Sequence, residues 1–94
     1  MMKPSIHLNG SAPETLLEGY TEALRAVRDA IEKLAATAPH GRDYYTQVAG
    51  GASAAYYEAL DEHETRMHKL ADVEHEILEL GRHVRGEIGK RQRK

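Results

Sequence analysis

Between His40 and Gly51 the chain reads H-G-R-D-Y-Y-T-Q-V-A-G-G, and within it one guanidinium, one carboxylate and two adjacent phenol rings lie between glycines. Arg42 offers the planar, bidentate donor geometry that phosphate and carboxylate ligands demand. Tyr44 and Tyr45 offer faces on which a nucleobase stacks. A second group of polar residues lies near the two ends of the chain: His7 and Asn9 at the start, Arg82 and Arg85 towards the finish. Together these seven residues are the candidate binding set for a small anionic, aromatic ligand. The competing structural reading has the tyrosines plug the end of a helical bundle while Arg42 pairs with Asp43.

Catalysis finds less support. No serine, threonine or lysine has an obvious base partner, no glycine-rich phosphate loop precedes a lysine, and cysteine is absent, which removes disulfides and thiolate metal sites. Glu58-x-x-Asp61 and Glu76-x-x-Glu79 echo the paired acidic motifs with which all-helical nucleotide pyrophosphohydrolases hold magnesium. Such motifs must converge from separate helices, and here both fall on one. Asp72, His75, Glu79 and His83 share a helix face at spacings of three and four, in a stretch so rich in Glu and His that a solvated polar face explains them. The reading is therefore non-enzymatic, with no cofactor and no metal.

The elements that must position the candidate residues are helices. Ninety-four residues without Phe or Trp, and with five Tyr, suit narrow helix-to-helix seams better than a broad interior. Residues 1–11 form a short non-helical segment in which Ile6 and Leu8 alternate with His7 and Asn9-Gly10 signals a turn. Ser11 and Glu14 fit a capping box opening helix one, expected over 12–38. Leu17, Tyr20, Leu24, Val27, Ile31 and Leu34 recur at alternating spacings of three and four, a heptad seam. Pro39 ends that helix. The loop spans 39–52, and Ser53 caps a second helix expected over 53–86. Its stripe runs through Tyr56, Leu60, Met67, Leu70, Val73, Ile77, Leu80, Val84 and Ile88, with His63 on the same line, and drifts from a strict heptad where two threes follow in succession at Val73. Gly81, Gly86 and Gly89 weaken the far end, so a basic tail over 87–94 is expected to fray.

These elements predict an all-α, antiparallel two-helix hairpin. Pairing outward from the loop sets Thr37 beside Ser53 and Ser11 beside Glu79, which leaves Val84 and Ile88 overhanging. Uncovered apolar flanks, including Leu16 and Leu78, call for a homo-oligomer of at least two copies forming a helical bundle. In an antiparallel dimer the loop of one copy would lie beside the termini of the other, bringing Arg42, Tyr44 and Tyr45 to His7, Asn9, Arg82 and Arg85. Net charge is −2, which speaks against a general nucleic-acid binder, although from residue 82 onward six bases oppose Glu87 alone. No stretch approaches the roughly 20 apolar residues of a membrane span, and no signal-like run opens the chain, so a cytoplasmic location is expected.

I-H-L-N-G at residues 6 to 10 and G-R-D-Y-Y at 41 to 45 resemble signatures of small uncharacterised all-helical proteins of tailed phages and prophages. That family's second motif continues into a proline and a Gly-Pro turn, whereas this chain has Thr46-Gln47-Val48-Ala49. The resemblance implies an accessory phage product in the host cytoplasm, of a class that includes counter-defence proteins acting by binding. Two functions are thus expected: sequestration of a nucleotide-like ligand, or a helical adaptor or inhibitor that binds a host or phage protein.

Overall fold

The computed structural model describes residues 1–7, 10, 12–44 and 51–92, with the side chains of Arg42, Gly51, Ala52 and Gln92 excepted. Among them the regular structure is entirely helical: α1 (Pro13–Ala35), a short 3-10 helix (Gly41–Asp43) and α2 (Gly51–Gln92). The two long helices pack against each other as an antiparallel hairpin measuring 67 × 21 × 20 Å.

Helix α1 starts one residue later than expected. Ala12 is its N-cap, in extended geometry and with no side-chain cap bond, and Pro13 occupies the first turn. Proline is accepted there because the missing N–H has no intrahelical partner anyway. Ser11 lies outside the described residues. The helix ends at Ala35, where the N–H and hydroxyl of Thr37 both donate to the Leu34 carbonyl at 2.9 and 2.7 Å. Those two bonds occupy a C-terminal carbonyl that would otherwise be orphaned.

Helix α2 does not break off at Gly86. It runs to Gln92, through Gly86 and Gly89, so the segment expected as a frayed tail is helical over its described part. Two effects offset the glycines. Val84 is 0% exposed, which ties this end to the rest of the fold. Lys90 and Arg91 stand in the last turn, where cations meet the negative end of the helix dipole. Next to Gly86 nothing lies within 4 Å of an added Cβ, so Gly86→Ala should raise stability by about 1 kcal/mol in a urea titration.

The pairing register differs from the expected one. Arg28 Nε bonds Glu74 Oε2 at 2.8 Å, and Gly81 faces Tyr20, with the Tyr20 Cβ 3.9 Å from an ideal Gly81 Cβ. Carried along both antiparallel helices, these contacts set Leu17 opposite Val84, Leu24 opposite Ile77, Ile31 opposite Leu70 and Leu34 opposite Met67. Helix α2 has thus slid about three turns relative to a pairing read outward from the loop. The overhang moves to the other end, so that Val84 has a helix partner and the first turns of α2 project past the end of α1, beneath Pro39 and Tyr44.

In this register the α2 seam follows a strict alternation of four and three through Tyr56, Leu60, His63, Met67, Leu70, Glu74, Ile77, Gly81, Val84 and Ile88. Every member is half-buried or buried, whereas Val73 is 42% exposed. The expected drift is therefore absent: Glu74 and Gly81 hold the positions assigned to Val73 and Leu80. A carboxylate is tolerated there because Arg28 reaches across to it, and a polar residue at a seam position fixes register. Gly81 lies across from Tyr20 and Leu17, and a Cβ there would stand at ordinary van der Waals distance from both.

Candidate functional site

Two concavities carry the chemistry, one at each end of the hairpin. At the loop end Ala38 N–H donates to Ala35, then Asp43 N–H to the His40 carbonyl and Tyr44 N–H to the Gly41 carbonyl, both at 3.0 Å. This compact turn lays Tyr44, half-buried, against the projecting start of α2. The hollow beneath it, about 540 Å³, is lined by Thr37, Tyr44, Glu58, Glu62, His63 and Arg66 among others. His63 is 9% exposed and sits on the seam, so it belongs to the helix interface while also bordering the hollow. Tyr56 and Tyr57 form a tilted ring pair at 5.5 Å on the same turns, with Tyr57 64% exposed. The lining charge here is mixed, two carboxylates against one guanidinium, which gives a free anion no clear preference.

At the terminal end a groove of about 230 Å³ lies between Tyr20, Thr21 and Leu24 on α1 and Ile77, Gly81, Arg82 and Arg85 on α2. Gly81 and Tyr20 both line the groove from facing positions on the two helices. Arg82 and Arg85 border it, both exposed, and among the described residues neither forms an ion pair. Two guanidiniums beside an aromatic ring and an apolar floor suit an anion that carries a ring. Arg85 also borders a neighbouring hollow with Glu14, Glu18, Glu22 and Arg25, where three carboxylates temper its field.

The expected residues therefore separate within one chain. Arg82 and Arg85 come together, and His7 stands near their end of the molecule. Its exposed ring covers Gly10, where an added Cβ would meet the imidazole at 3.0 Å, and the Gly10 N–H donates to the His7 carbonyl. The N-terminal segment before it is held to α2 by a 2.8 Å hydrogen bond between His83 Nε2 and the Pro4 carbonyl. Tyr44 stands at the opposite end. The Arg42 backbone belongs to the 3-10 turn, while Asn9 and Tyr45 lie outside the described residues.

Tyr20 is the site residue that periodicity hides, since its seam position marks it as core. It is only half-buried and lines the groove between the helices, which depends on cross-helix neighbours far off in sequence. As for the metal-spaced cluster, His83 turns to Pro4, and among the described residues no group of three His, Asp or Glu is disposed to hold an ion. No helix is long and apolar enough to cross a membrane. Comparison with protein-family models, with curated proteins and with solved structures finds no match to the chain.

Proposed function

We propose that this chain is a non-enzymatic binding protein that sequesters a small anionic, nucleotide-like ligand, working as a homo-oligomer. The observation that carries the reading is the terminal groove, in which Arg82 and Arg85 flank an apolar floor and the Tyr20 ring. The groove supplies charge and one ring. The loop of a second, antiparallel copy supplies the rest: Arg42, Tyr44 and Tyr45, meeting the His7 and Asn9 segment at that end. Resemblance of the IHLNG and GRDYY stretches to small phage proteins supports a counter-defence role, with an immune nucleotide signal as ligand in the host cytoplasm.

Thermal shift against a panel of cyclic and ADP-ribose-type nucleotides tests this. A bound nucleotide at 100 times its Kd stabilises by about 2.7 kcal/mol, a rise of several degrees for a domain of this size. A flat response across the panel refutes ligand sequestration. The second reading, an adaptor or inhibitor of a host or phage protein, is favoured by the exposed Tyr57 and Val73 on α2, and recovery of a stoichiometric protein partner would support it.

A further inference from the structure

At the loop end the first turns of α2 project beyond α1, and Pro39 and Tyr44 cover a hollow of about 540 Å³ above them. That is the size of a small-molecule site. His63 forms its inner wall. The imidazole is 9% exposed, and among the described residues no hydrogen bond reaches it. A ring so deeply buried ordinarily has a partner. Among the described residues no fully buried side-chain nitrogen or oxygen lacks one, so the unpartnered ring nitrogens of His63 keep contact with open space. The space that the ring borders is this hollow.

The outer rim carries the charge. Glu58 and Glu62 both line the hollow and stand four residues apart on α2, which makes them neighbours on its surface. Glu62 has a base, Arg66, at 3.5 Å, whereas Glu58 forms no ion pair among the described residues. With a neutral imidazole the lining thus holds two carboxylates against one guanidinium, a surplus of one negative charge. Between rim and inner wall lies Ala59, three residues from Glu62 and four from His63, so the floor there is apolar. Tyr44, half-buried, supplies an aromatic ring to the same space.

We propose that this hollow binds an arylalkyl amine: its ammonium between Glu58 and Glu62, its ring over Ala59 and against Tyr44, and a hydroxyl on the far side of that ring at a His63 nitrogen. Each group of the ligand answers one feature of the site. The ammonium relieves two like charges held at a spacing where they repel. The ring packs on a methyl floor and finds an aromatic partner. A neutral imidazole has one nitrogen that donates and one that accepts, and a hydroxyl does both, so it satisfies either. The five residues from Glu58 to His63 rise about 7.5 Å along the helix, which such a molecule can span. The site goes beyond the functional reading above. It lies at the opposite end of the hairpin from the Arg82 and Arg85 groove, selects the opposite charge and does not depend on a nucleotide.

The probe is 4-hydroxyphenylethylamine, titrated by calorimetry into the intact chain beside two analogues that each change one group. It should bind saturably at one site and shift the His63 ring resonances in an NMR titration. 3-(4-Hydroxyphenyl)propionate, with a carboxylate in place of the ammonium, should not bind. Phenylethylamine, which lacks the hydroxyl, should bind about threefold to tenfold more weakly. Glu58→Gln, at an exposed position off the seam, should weaken the hydroxylated amine about tenfold or more and leave the fold unchanged. His63→Leu should make the two amines bind alike. Because His63 lies on the seam, the melting of that variant is followed as well, and Glu58→Gln decides the matter if His63→Leu does not fold. No saturable binding, equal binding of the propionate, or wild-type affinity in Glu58→Gln overturns the proposal. A flat nucleotide panel together with amine binding removes the sequestration reading and leaves this site standing.

Discussion

Val84→Asp should unfold most of the protein at room temperature or lower its melting temperature by about 20 °C, followed by circular dichroism. Val84 is 0% exposed and sits where the N-terminal segment, α1 and α2 come together. A carboxylate there loses its hydration and gains no partner, a penalty of about 4 kcal/mol or more. The whole stability of a domain of this length is about 5 to 10 kcal/mol, so the substitution removes a large share of it. Val73→Asp is the control. At 42% exposure its carboxylate stays wet, and the hairpin itself should lose no more than about 0.5 kcal/mol. Equal losses in the two variants would show that the seam runs through Val73 after all.

The second large effect is on binding. Arg85→Ala should weaken nucleotide affinity by about tenfold or more, since a hydrogen bond to a charged group contributes about 1.5 to 3 kcal/mol. Folding should be indifferent, because Arg85 is exposed and forms no ion pair among the described residues. Arg42→Ala tests the other half of the site. If the loop of a second copy completes the groove, its loss should match that of Arg85→Ala. If the groove works alone, Arg42→Ala should bind as the wild type does. Tyr44→Ala adds a further distinction: a stacking ring lost lowers affinity by about 1 to 3 kcal/mol, whereas a ring that only plugs the loop end lowers the melting temperature. Calorimetry on the dimeric variants reads both.

The helices and their antiparallel pairing were legible in the sequence because α1 carries one clean apolar stripe, although the helix ends at Ala35, ahead of the expected stop before Pro39. The register was not. An apolar stripe spaced by threes and fours slides by whole turns with little change in what meets what, and the residues from 36 to 50 are too many to force a tight turn. What selects among the alternatives is polar and small: Glu74 with Arg28, and Gly81 with Tyr20. A search for apolar periodicity passes over both and takes their neighbours Val73 and Leu80 instead. The same blindness hid the terminal groove. Arg82 and Arg85 stood out by charge, but that Tyr20 lines the same groove is a fact of pairing, not of spacing. Helix α2 outran its glycines for a related reason, since propensity is a local quantity and Val84 is held by residues remote in the chain.

The register also bears on how the hairpin forms. Closing the seam from the loop outward first joins Leu34 to Met67, then each rung further along, and reaches Leu17 and Val84 last. The early rungs close the shorter segments of chain, and the last must hold the longest. Yet the early rungs include a buried histidine and half-exposed side chains, while the last contains the fully buried Val84. The last rung thus adds the one fully buried apolar side chain among the described residues, and cooperative, single-step unfolding is the expected result of a denaturant titration.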